Sequence, residues 1–266
     1  MPWCERPNND IYFTFSGNPG APALLFSHSL GTDSRMWDYQ VDDLQDDFFI
    51  IRYDHPGHGR SGAFRGIPAI GDLGNDAVAV LDKLGLPSAF FCGLSLGGMV
   101  GIWLGAHAAD RFPRIAVCSS AATAGNAGLL LNRIAVIKEK GIHAISSNVI
   151  EHWFTEAFRA KNPGVVKLAL EMLLGTDPDA YVALIETIRQ MDLRPELTMN
   201  TSPFLTMYGD MDLATPPAVN RYLHDRIGNS TLVALRAAHL ANIEARVRFS
   251  QSLRGFMMDP ESWTTR

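Results

Sequence analysis

Cysteine is scarce in this chain, and its basic side chains form no cluster. The 266 residues include three cysteines, Cys4, Cys92 and Cys118, an odd number at wide spacing. That count argues against a disulfide framework and against a cysteine-based zinc site. Lysine and arginine number 23 against 28 aspartate and glutamate, for a net charge of −5. Without a basic cluster to lie along a phosphate backbone, the chain is not expected to bind nucleic acid.

The sequence also lacks any apolar run long enough to span a bilayer. A transmembrane helix needs about 20 mostly apolar residues in a row, and no such stretch occurs. The opening residues, Met1-Pro2-Trp3-Cys4, start no apolar stretch of the length that a secretory signal needs. We therefore expect a cytoplasmic protein with no membrane partner. The sequence gives no indication of its oligomeric state.

What the sequence does contain is enough apolar side chain for one large core. Hydrophobic residues make up 47% and charged residues 19%, a balance typical of a folded globular domain. Short apolar runs alternate with helical patterns in the first part of the chain and resume near its end. These predicted strands lie at 10–15, 23–27, 48–53, 89–93, 114–119, 203–208 and 231–235. Such alternation predicts an α/β fold with a mostly parallel, doubly wound sheet.

The segment 121–201 has a different pattern. Apolar residues recur there at helical spacing, and strand-like runs are missing. Predicted helices cover 129–140, 143–151, 154–159, 165–174 and 178–190. We therefore expect a core made of residues 1–120 and 202–260, with 121–201 as a helical lid over the carboxyl edge of the sheet. A last helix is predicted at 243–256, and 261–266 is expected to be a loose tail.

The strand at 89–93 runs into the pentapeptide Gly93-Leu94-Ser95-Leu96-Gly97, which an apolar helix follows. A serine hydroxyl is a weak nucleophile unless a tight turn exposes it beside a base. A strand, a Gly-x-Ser-x-Gly turn and a helix in that order do this, because the glycines leave room where neighbouring backbone approaches closely. Such pentapeptides also occur by chance, but the strand before and the helix after favour Ser95 as a nucleophile.

A serine nucleophile needs amide donors for the negative charge that develops on the substrate oxygen. The amide of Leu96 lies at the start of the helix, where unpaired N–H groups and the helix dipole favour negative charge. The loop His28-Ser29-Leu30-Gly31 leaves the carboxyl end of another strand. We assign the second donor to the Leu30 amide, to within one residue. His28 is interpreted as a structural histidine rather than a base, since it precedes the nucleophile in the chain.

A base, and an acid that orients it, are expected further along in the order serine, carboxylate, histidine. The loop after the strand at 203–208 contains Asp210 and Asp212. We prefer Asp212, because Asp210 lies closer to the glycine turn, where an aspartate commonly bonds its own backbone. His239 follows the last strand in a loop of small residues, and we predict it as the base. Its rival His224 lies within a predicted helix.

A second polar loop, Asp54-His55-Pro56-Gly57-His58-Gly59, follows the strand at 48–53. Two histidines and an aspartate suggest a metal site, but no carboxylate stands at ligand spacing from the histidines. We interpret the loop as a tight structural turn and expect no metal.

With these parts in place, the chain resembles an α/β-hydrolase, and more narrowly the 3-oxoadipate enol-lactonases of aromatic catabolism. The matching segments run through nearly the whole chain and are Ser29-Leu30-Gly31-Thr32-Asp33, Arg52-Tyr53-Asp54, Phe91-Cys92-Gly93-Leu94-Ser95, Trp153-Phe154-Thr155, Gly175-Thr176-Asp177, Ala214-Thr215-Pro216-Pro217 and His239-Leu240. The resemblance implies an α/β-hydrolase fold with a helical lid inserted after the sixth strand. It also implies a serine hydrolase that cleaves a small, anionic lactone through an acyl-enzyme on Ser95, with no cofactor.

The resemblance further points to substrate-binding residues in the lid. Arg133 matches a family position and could bind a carboxylate bidentately, with a solvated arginine as the alternative. Trp153 is expected either to wall the pocket or to belong to the core. The family usually has Asn, Arg and Trp where this chain has His28, Thr123 and Leu130. Two of these differences lie at the lid entry, so another lactone or a simple ester fits equally well.

Other enzymes of this fold that use the same three residues stay open as alternatives. They are a general carboxylesterase, a C–C bond hydrolase and a perhydrolase, whereas a haloalkane dehalogenase would need a carboxylate at Ser95. From a different class of protein, a ligand receptor can keep the fold without efficient turnover.

Overall fold

The computed structural model describes residues 2–258, which form one eight-stranded sheet with helices on both faces. The strands are β1 (Trp3–Glu5), β2 (Asp10–Ser16), β3 (Ala23–Ser27), β4 (Phe49–Tyr53), β5 (Phe90–Leu94), β6 (Ile115–Cys118), β7 (Phe204–Gly209) and β8 (Ser230–Leu235). All seven predicted strands are present, each within one residue of its predicted ends. The predicted tail at 261–266 lies outside the described residues.

The order of strands across the sheet is β1-β2-β4-β3-β5-β6-β7-β8. β2 is antiparallel to both of its neighbours, and the strands from β4 to β8 are all parallel. The chain therefore reverses its direction of travel across the sheet between β3 and β5. At such a reversal the loops at the carboxyl ends diverge and leave a crevice where ligands bind. The loop of Leu30 and the turn of Ser95 both lie at this reversal.

Side chains of β3 alternate between two apolar cores, which explains why buried strands read as continuous apolar runs. Leu24 and Phe26 pack on one face of the sheet, and Leu25 packs on the other. The first face is covered by α1 (Asp38–Leu44) and α12 (Arg246–Met258), and the second by α2 (Ile70–Lys83), α3 (Leu96–His107) and α10 (Pro217–Arg226). The predicted doubly wound α/β fold is confirmed. Within residues 2–258, none of the helices has both the length and the apolar character needed to cross a membrane.

Residues 121–201, called the helical insertion below, leave the sheet after the sixth strand and return to it at β7. The insertion comprises α4 (Ala127–Lys140), α5 (Ser146–Trp153), α6 (Glu156–Lys161), α7 (Pro163–Leu174), α8 (Pro178–Gln190) and α9 (Arg194–Met199), with a 3₁₀ turn at Ile142–Ile145. Its two ends meet, because Thr123 forms an antiparallel bridge with Asp192 and the Leu193 N–H donates to the Ala122 carbonyl at 2.8 Å. These two contacts close a neck where the insertion leaves the core.

The helix predicted at 243–256 is divided in two. α11 (Ala241–Glu244) and α12 are separated by Ala245, whose φ of −110° and ψ of 39° are not helical. The Glu244 carboxylate accepts the N–H groups of Ala238 and Thr155, both at 3.1 Å. These tertiary bonds hold the short α11 against the loop before it, which sequence periodicity does not reveal.

Candidate active site

Ser95 occupies a strained position between β5 and α3. Its φ of 57° and ψ of −111° lie in a region that L-residues rarely adopt, at a cost of about 1–3 kcal/mol. A Cβ atom on Gly93 would lie 2.1 Å from the Gly97 carbonyl oxygen, and one on Gly97 would lie 2.2 Å from the Ser27 carbonyl oxygen. Only glycine fits at either position. The pentapeptide therefore forms the sharp strand-to-helix turn that the sequence predicts.

The neighbouring strand holds this turn in place. The Ser95 N–H donates to the Cys118 carbonyl at 2.9 Å, and the Ser120 hydroxyl donates to the Ser95 carbonyl at 2.8 Å. Ser95 itself is half-buried, and its side chain makes no capping hydrogen bond to the helix. Its backbone is thus fixed by β6 while its hydroxyl is not used to cap α3.

In the loop after β3, the Leu30 amide differs from its neighbours. The Ser29 N–H donates to the Met36 sulfur at 3.3 Å, and the Gly31 N–H donates to His58 Nε2 at 3.0 Å. No hydrogen bond within residues 2–258 uses the Leu30 N–H. The sequence assigned the second donor to Leu30 to within one residue, so Ser29 and Gly31 were also candidates. Of these three amides, that of Leu30 is the one free to bind an oxyanion.

The Leu96 amide is in the same situation at the start of α3. The Ser95 N–H is bonded to Cys118, and the Gly97 N–H donates to the His28 carbonyl at 3.2 Å. In the described part of the chain the Leu96 N–H has no acceptor. Because Gly97 bonds His28, the loop of Leu30 packs directly against the turn of Ser95. The two free amides belong to adjoining segments, as an oxyanion hole requires.

His239 and Asp212 form a buried pair at the same edge of the sheet. His239 Nδ1 lies 2.8 Å from Asp212 Oδ2, and 4% of His239 and 2% of Asp212 is exposed. Asp212 Oδ1 also accepts the N–H groups of Ala214 (2.8 Å) and Thr215 (3.0 Å), and Oδ2 accepts the Thr215 hydroxyl at 2.7 Å. The carboxylate therefore has four hydrogen-bond contacts, two at each oxygen.

These contacts keep Asp212 ionised. Burial alone would raise its pKa, but the charge and hydrogen bond of His239, together with the bonds from Thr215, outweigh burial and lower the pKa of Asp212. An ionised carboxylate only accepts hydrogen bonds, so the proton between the two residues lies on His239 Nδ1. The other ring nitrogen, Nε2, then carries a lone pair and can take a proton.

Asp210 occupies a different environment from Asp212. It is exposed, and one of its oxygens accepts the Ala237 N–H at 3.3 Å. The reason given above for preferring Asp212 is wrong, because the aspartate that bonds its own downstream backbone is Asp212. The choice of residue nevertheless agrees with the geometry, since Asp212 is the one that contacts His239.

Cys118 contacts the Ser95 turn and is close to Asp212. Its carbonyl accepts the Ser95 N–H. Burial raises the pKa of the Cys118 thiol to about 12, and the nearby Asp212 charge adds to the rise.

No hydrogen bond within residues 2–258 joins the Ser95 hydroxyl to the His239 ring. In many enzymes that contact tightens only when substrate binds.

The histidines that suggested a metal site make structural hydrogen bonds instead. His55 Nε2 lies 3.0 Å from the Ser27 hydroxyl, and His58 bonds Gly31. His28, interpreted above as structural, is fully buried and bonded on both ring nitrogens. Across the described residues, no three histidine, cysteine or acidic side chains are grouped so as to hold a metal ion.

The helical insertion reaches the loop of Leu30 through three side chains. A Cβ atom on Gly31 would lie 2.8 Å from Leu173, 2.9 Å from the ring of Tyr181 and 3.5 Å from the ring of Trp153. Trp153 is 4% exposed and belongs to the larger apolar cluster. The two interpretations of Trp153 are thus compatible: it is a core residue and it covers the loop beside Ser95.

Arg133 lies on α4, half-buried, with its positive charge close to Tyr181. Burial raises the pKa of Tyr181, and the nearby Arg133 charge opposes that rise. The Tyr181 ring also lies beside Gly31 in the loop of Leu30, so Tyr181 has Arg133 and that loop as neighbours.

Two residues of this region escaped sequence reasoning. Tyr181 follows the apolar spacing of α8 and reads as an ordinary core residue. Glu244 joins the insertion to the loop of His239, since its carboxylate accepts hydrogen bonds from Thr155 and from Ala238. The Leu240 N–H adds a bond to the Trp153 carbonyl at 3.0 Å. Only the capping pattern around Thr155 could have pointed to a contact there, and it does not identify the partner.

Comparison with known proteins agrees with this geometry. The alpha/beta hydrolase fold family matches residues 22–245. The 3-oxoadipate enol-lactonase 2 of Acinetobacter baylyi is 36% identical over 246 residues, 92% of this chain and 92% of that protein. The crystal structure of the enol-lactonase from Burkholderia xenovorans LB400 superposes with a TM-score of 0.95 at 35% identity, covering 97% of this chain and all of that one. Karrikin insensitive 2 receptor IA of Petunia hybrida is 25% identical over 240 residues, 85% of this chain and 86% of the receptor. Since these matches extend over the sheet and the helical insertion alike, the chain belongs to the α/β-hydrolase family.

Proposed function

We propose that this protein is a serine hydrolase that cleaves a small lactone or carboxylic ester, most like 3-oxoadipate enol-lactone, through an acyl-enzyme on Ser95. The observation that carries the proposal is the buried Asp212–His239 pair at the sheet edge where the strained Ser95 turn also lies. The similarity to enol-lactonases over nearly the whole chain supports the substrate class. Ser95, Asp212 and His239 are called the triad below.

In this mechanism, the Ser95 hydroxyl oxygen attacks the lactone carbonyl as His239 Nε2 takes its proton. The carbonyl oxygen becomes an oxyanion, which accepts hydrogen bonds from the Leu30 and Leu96 amides. Collapse of the intermediate breaks the ring C–O bond, and the enolate that leaves takes the proton from His239 and becomes a ketone. His239 then activates a water molecule, which hydrolyses the acyl-enzyme. This step turns the former lactone carbonyl into a carboxylate and restores Ser95. Asp212 stabilises the imidazolium that forms in each half of the reaction.

We assign the helical insertion the role of a lid. Its residues Trp153, Leu173 and Tyr181 pack over the loop that supplies the Leu30 amide. An apolar cover in this position excludes water from the acyl-enzyme and strengthens hydrogen bonds to the oxyanion. The core would then consist of residues 1–120 and 202–260, as the sequence predicts.

Covalent labelling combined with turnover tests the proposal. A phosphonofluoridate should add one phosphonyl group per chain, at Ser95 by peptide mass spectrometry, and should abolish hydrolysis of a short-chain chromogenic ester. The Ser95→Ala protein should take up no label, whereas Ser120→Ala, a neighbouring serine whose hydroxyl bonds backbone, should still be labelled at Ser95. Absence of both turnover and labelling would contradict the enzyme and favour a ligand receptor.

Replacing Arg133 with alanine should raise KM for carboxylate-bearing lactones roughly 10- to 100-fold, the effect expected for losing a hydrogen bond to a charged group. KM for neutral esters should change little. The physical reason is that Arg133 is a cation close to Tyr181, whose ring lies beside the loop of Leu30. Steady-state kinetics on matched pairs of charged and neutral substrates gives the measurement.

Lys138→Ala provides the control, because Lys138 is an exposed cation on the same helix. It should leave KM unchanged for both kinds of substrate. Equal effects of Arg133→Ala on charged and neutral substrates would assign Arg133 to the scaffold.

The residues that differ from the usual enol-lactonase pattern at the lid entry lie in two different surroundings. Thr123 takes part in the bridge to Asp192 at the neck of the insertion, and Leu130 packs against the larger apolar cluster. Neither supplies a cation. Arg133 is the one cation that we assign to the substrate, and a single guanidinium matches a lactone with one free carboxylate.

A further inference from the structure

Three buried histidines surround the loop of Leu30, and the proposed chemistry uses none of them as acid or base. His28 lies in that loop, while His55 and His58 lie in the loop after β4. The His28 ring centroid is 4.5 Å from that of His55 and 5.4 Å from that of His58. At most 1% of each residue is exposed. Burying an imidazole costs free energy unless its ring nitrogens are hydrogen-bonded, so the partners of these rings matter.

His58 fixes the peptide group that follows Leu30. Its Nε2 accepts the Gly31 N–H at 3.0 Å, and its Nδ1 lies 2.9 Å from the Pro56 carbonyl oxygen. A backbone N–H only donates, so Nε2 carries the lone pair and Nδ1 carries the proton. Burial lowers the pKa of His58 to about 3. The ring therefore stays neutral, and Nε2 stays an acceptor, at neutral pH.

His28 fixes the peptide group that precedes the Leu30 α-carbon. Its Nε2 accepts the His55 N–H at 2.8 Å, which places the proton on Nδ1, and Nδ1 donates to the Ser29 carbonyl at 2.8 Å. The Thr32 hydroxyl (2.8 Å) and the Thr32 N–H (3.1 Å) donate to the same oxygen. Three donors thus converge on one carbonyl.

The Ser29 carbonyl and the Leu30 N–H belong to the same planar peptide group, in which C=O and N–H point in opposite directions. Holding the oxygen therefore sets the direction of the Leu30 N–H. The next peptide, between Leu30 and Gly31, is held by His58. With both flanking peptides fixed, the two backbone torsions of Leu30 have little freedom.

We propose that His28 and His58 are positioning residues for the oxyanion hole, each imidazole holding one of the two peptide groups that flank the Leu30 α-carbon. The proposal rests on the proposed function in that the Leu30 amide is taken as an oxyanion donor. Neither histidine touches the substrate. Their effect is to keep the Leu30 N–H pointing at the position where the oxyanion forms, so that no reorganisation is needed during the reaction.

The test compares His58→Gln with His58→Asn. The Gln side chain places its carbonyl oxygen close to the position of Nε2 and can still accept from Gly31, whereas the shorter Asn side chain cannot reach. Each variant is assayed on a chromogenic acetate ester, with rates expressed per Ser95 titrated by phosphonofluoridate. Exchange of the Leu30 and Gly31 amide protons, measured by NMR, gives a readout independent of activity.

We expect His58→Asn to lower kcat roughly 10- to 100-fold, against the 10²–10³-fold cost of removing an oxyanion donor outright. KM should change less than about twofold, because the ground-state carbonyl needs this donor less than the oxyanion does. His58→Gln should retain most of kcat. The Gly31 amide should exchange faster in His58→Asn than in His58→Gln.

Equal kcat in the two variants, whether both normal or both impaired, would overturn the proposal, as would unchanged exchange of the Gly31 amide in His58→Asn. Failure of the proposed function looks different. In that case no Ser95 is titrated in any variant, and the exchange measurement alone still decides whether His58 orders the loop.

Discussion

Replacing Asp212 with asparagine is expected to lower kcat about 10⁴-fold, with little change in KM. The asparagine is nearly isosteric, and its carbonyl oxygen can keep the bonds from the Ala214 and Thr215 amides. What is lost is the charged acceptor 2.8 Å from His239 Nδ1. An amide N–H2 group facing that nitrogen favours the tautomer with the proton on Nε2, which can no longer take a proton from Ser95.

Asp210→Asn is the matched control. Asp210 is two residues away in the same loop, is exposed, and bonds the backbone of Ala237 rather than a side chain of the triad. Its replacement should leave kcat within about twofold. Thermal unfolding of both variants separates loss of chemistry from loss of fold. If Asp210→Asn and Asp212→Asn were equally impaired, or if Asp212→Asn kept a normal kcat, the triad would be misassigned.

The Ser95 turn was predictable because its chemistry dictates local sequence. Glycine is required at 93 and 97 by contacts of about 2 Å with neighbouring backbone, and a strand and a helix on either side complete a pattern that can be read within ten residues. Asp212 and His239 were predictable in a weaker sense. Each follows a strand, and parallel strands deliver their loops to one sheet edge.

Contacts between distant segments could not be predicted in this way. Tyr181 lies beside Gly31, and nothing in the helical spacing of α8 distinguishes a tyrosine over the loop of Leu30 from one in the core. Glu244 is 89 residues from its partner Thr155. The same limit applies to the choice between Asp210 and Asp212. Asp210 bonds Ala237, 27 residues away, while Asp212 bonds the backbone just after it, and local sequence does not show this.

A short element was missed for a different reason. β1 has only three residues, too few to show a period of two above chance. β1 forms through its antiparallel pairing with β2. A strand this short is stabilised by the strand it pairs with, and the periodicity of its own sequence does not reveal that partner.

The free energy of unfolding is expected to fall steeply as the pH drops below about 6.5, the ordinary pKa of histidine. Burial holds the pKa of His28 at about 4 and that of His58 at about 3. Above pH 6.5 both rings are neutral whether the chain is folded or not, so they contribute no pH dependence. Below it, the unfolded chain binds protons that the folded protein cannot, until the pH reaches the folded pKa values. At pH 5 the two residues together should remove about 4 kcal/mol, a large share of a typical stability of 5–15 kcal/mol.

Other buried groups change the total loss of unfolding free energy on acidification, but not the sign of the histidine contribution. Burial lowers the pKa of His55 as well, which adds to the loss. Burial raises the pKa of Asp54 and Asp76, so the folded protein protonates these carboxyls before the unfolded chain does, and they oppose the loss as their titration begins. A variant that removes one histidine isolates the histidine contribution from all of these.

His58→Gln, which cannot take up a proton, should lose about 2 kcal/mol less than the wild type between about pH 7.5 and about pH 5. Urea denaturation at the two pH values gives the measurement, and His143→Gln serves as the control because His143 is an exposed histidine. The control should follow the wild type. If His58→Gln lost as much stability on acidification as the wild type and the control, His58 would have to be protonated in the folded protein. Its Nε2 could then not accept the Gly31 N–H, and the loop of Leu30 would be held by something other than a neutral imidazole.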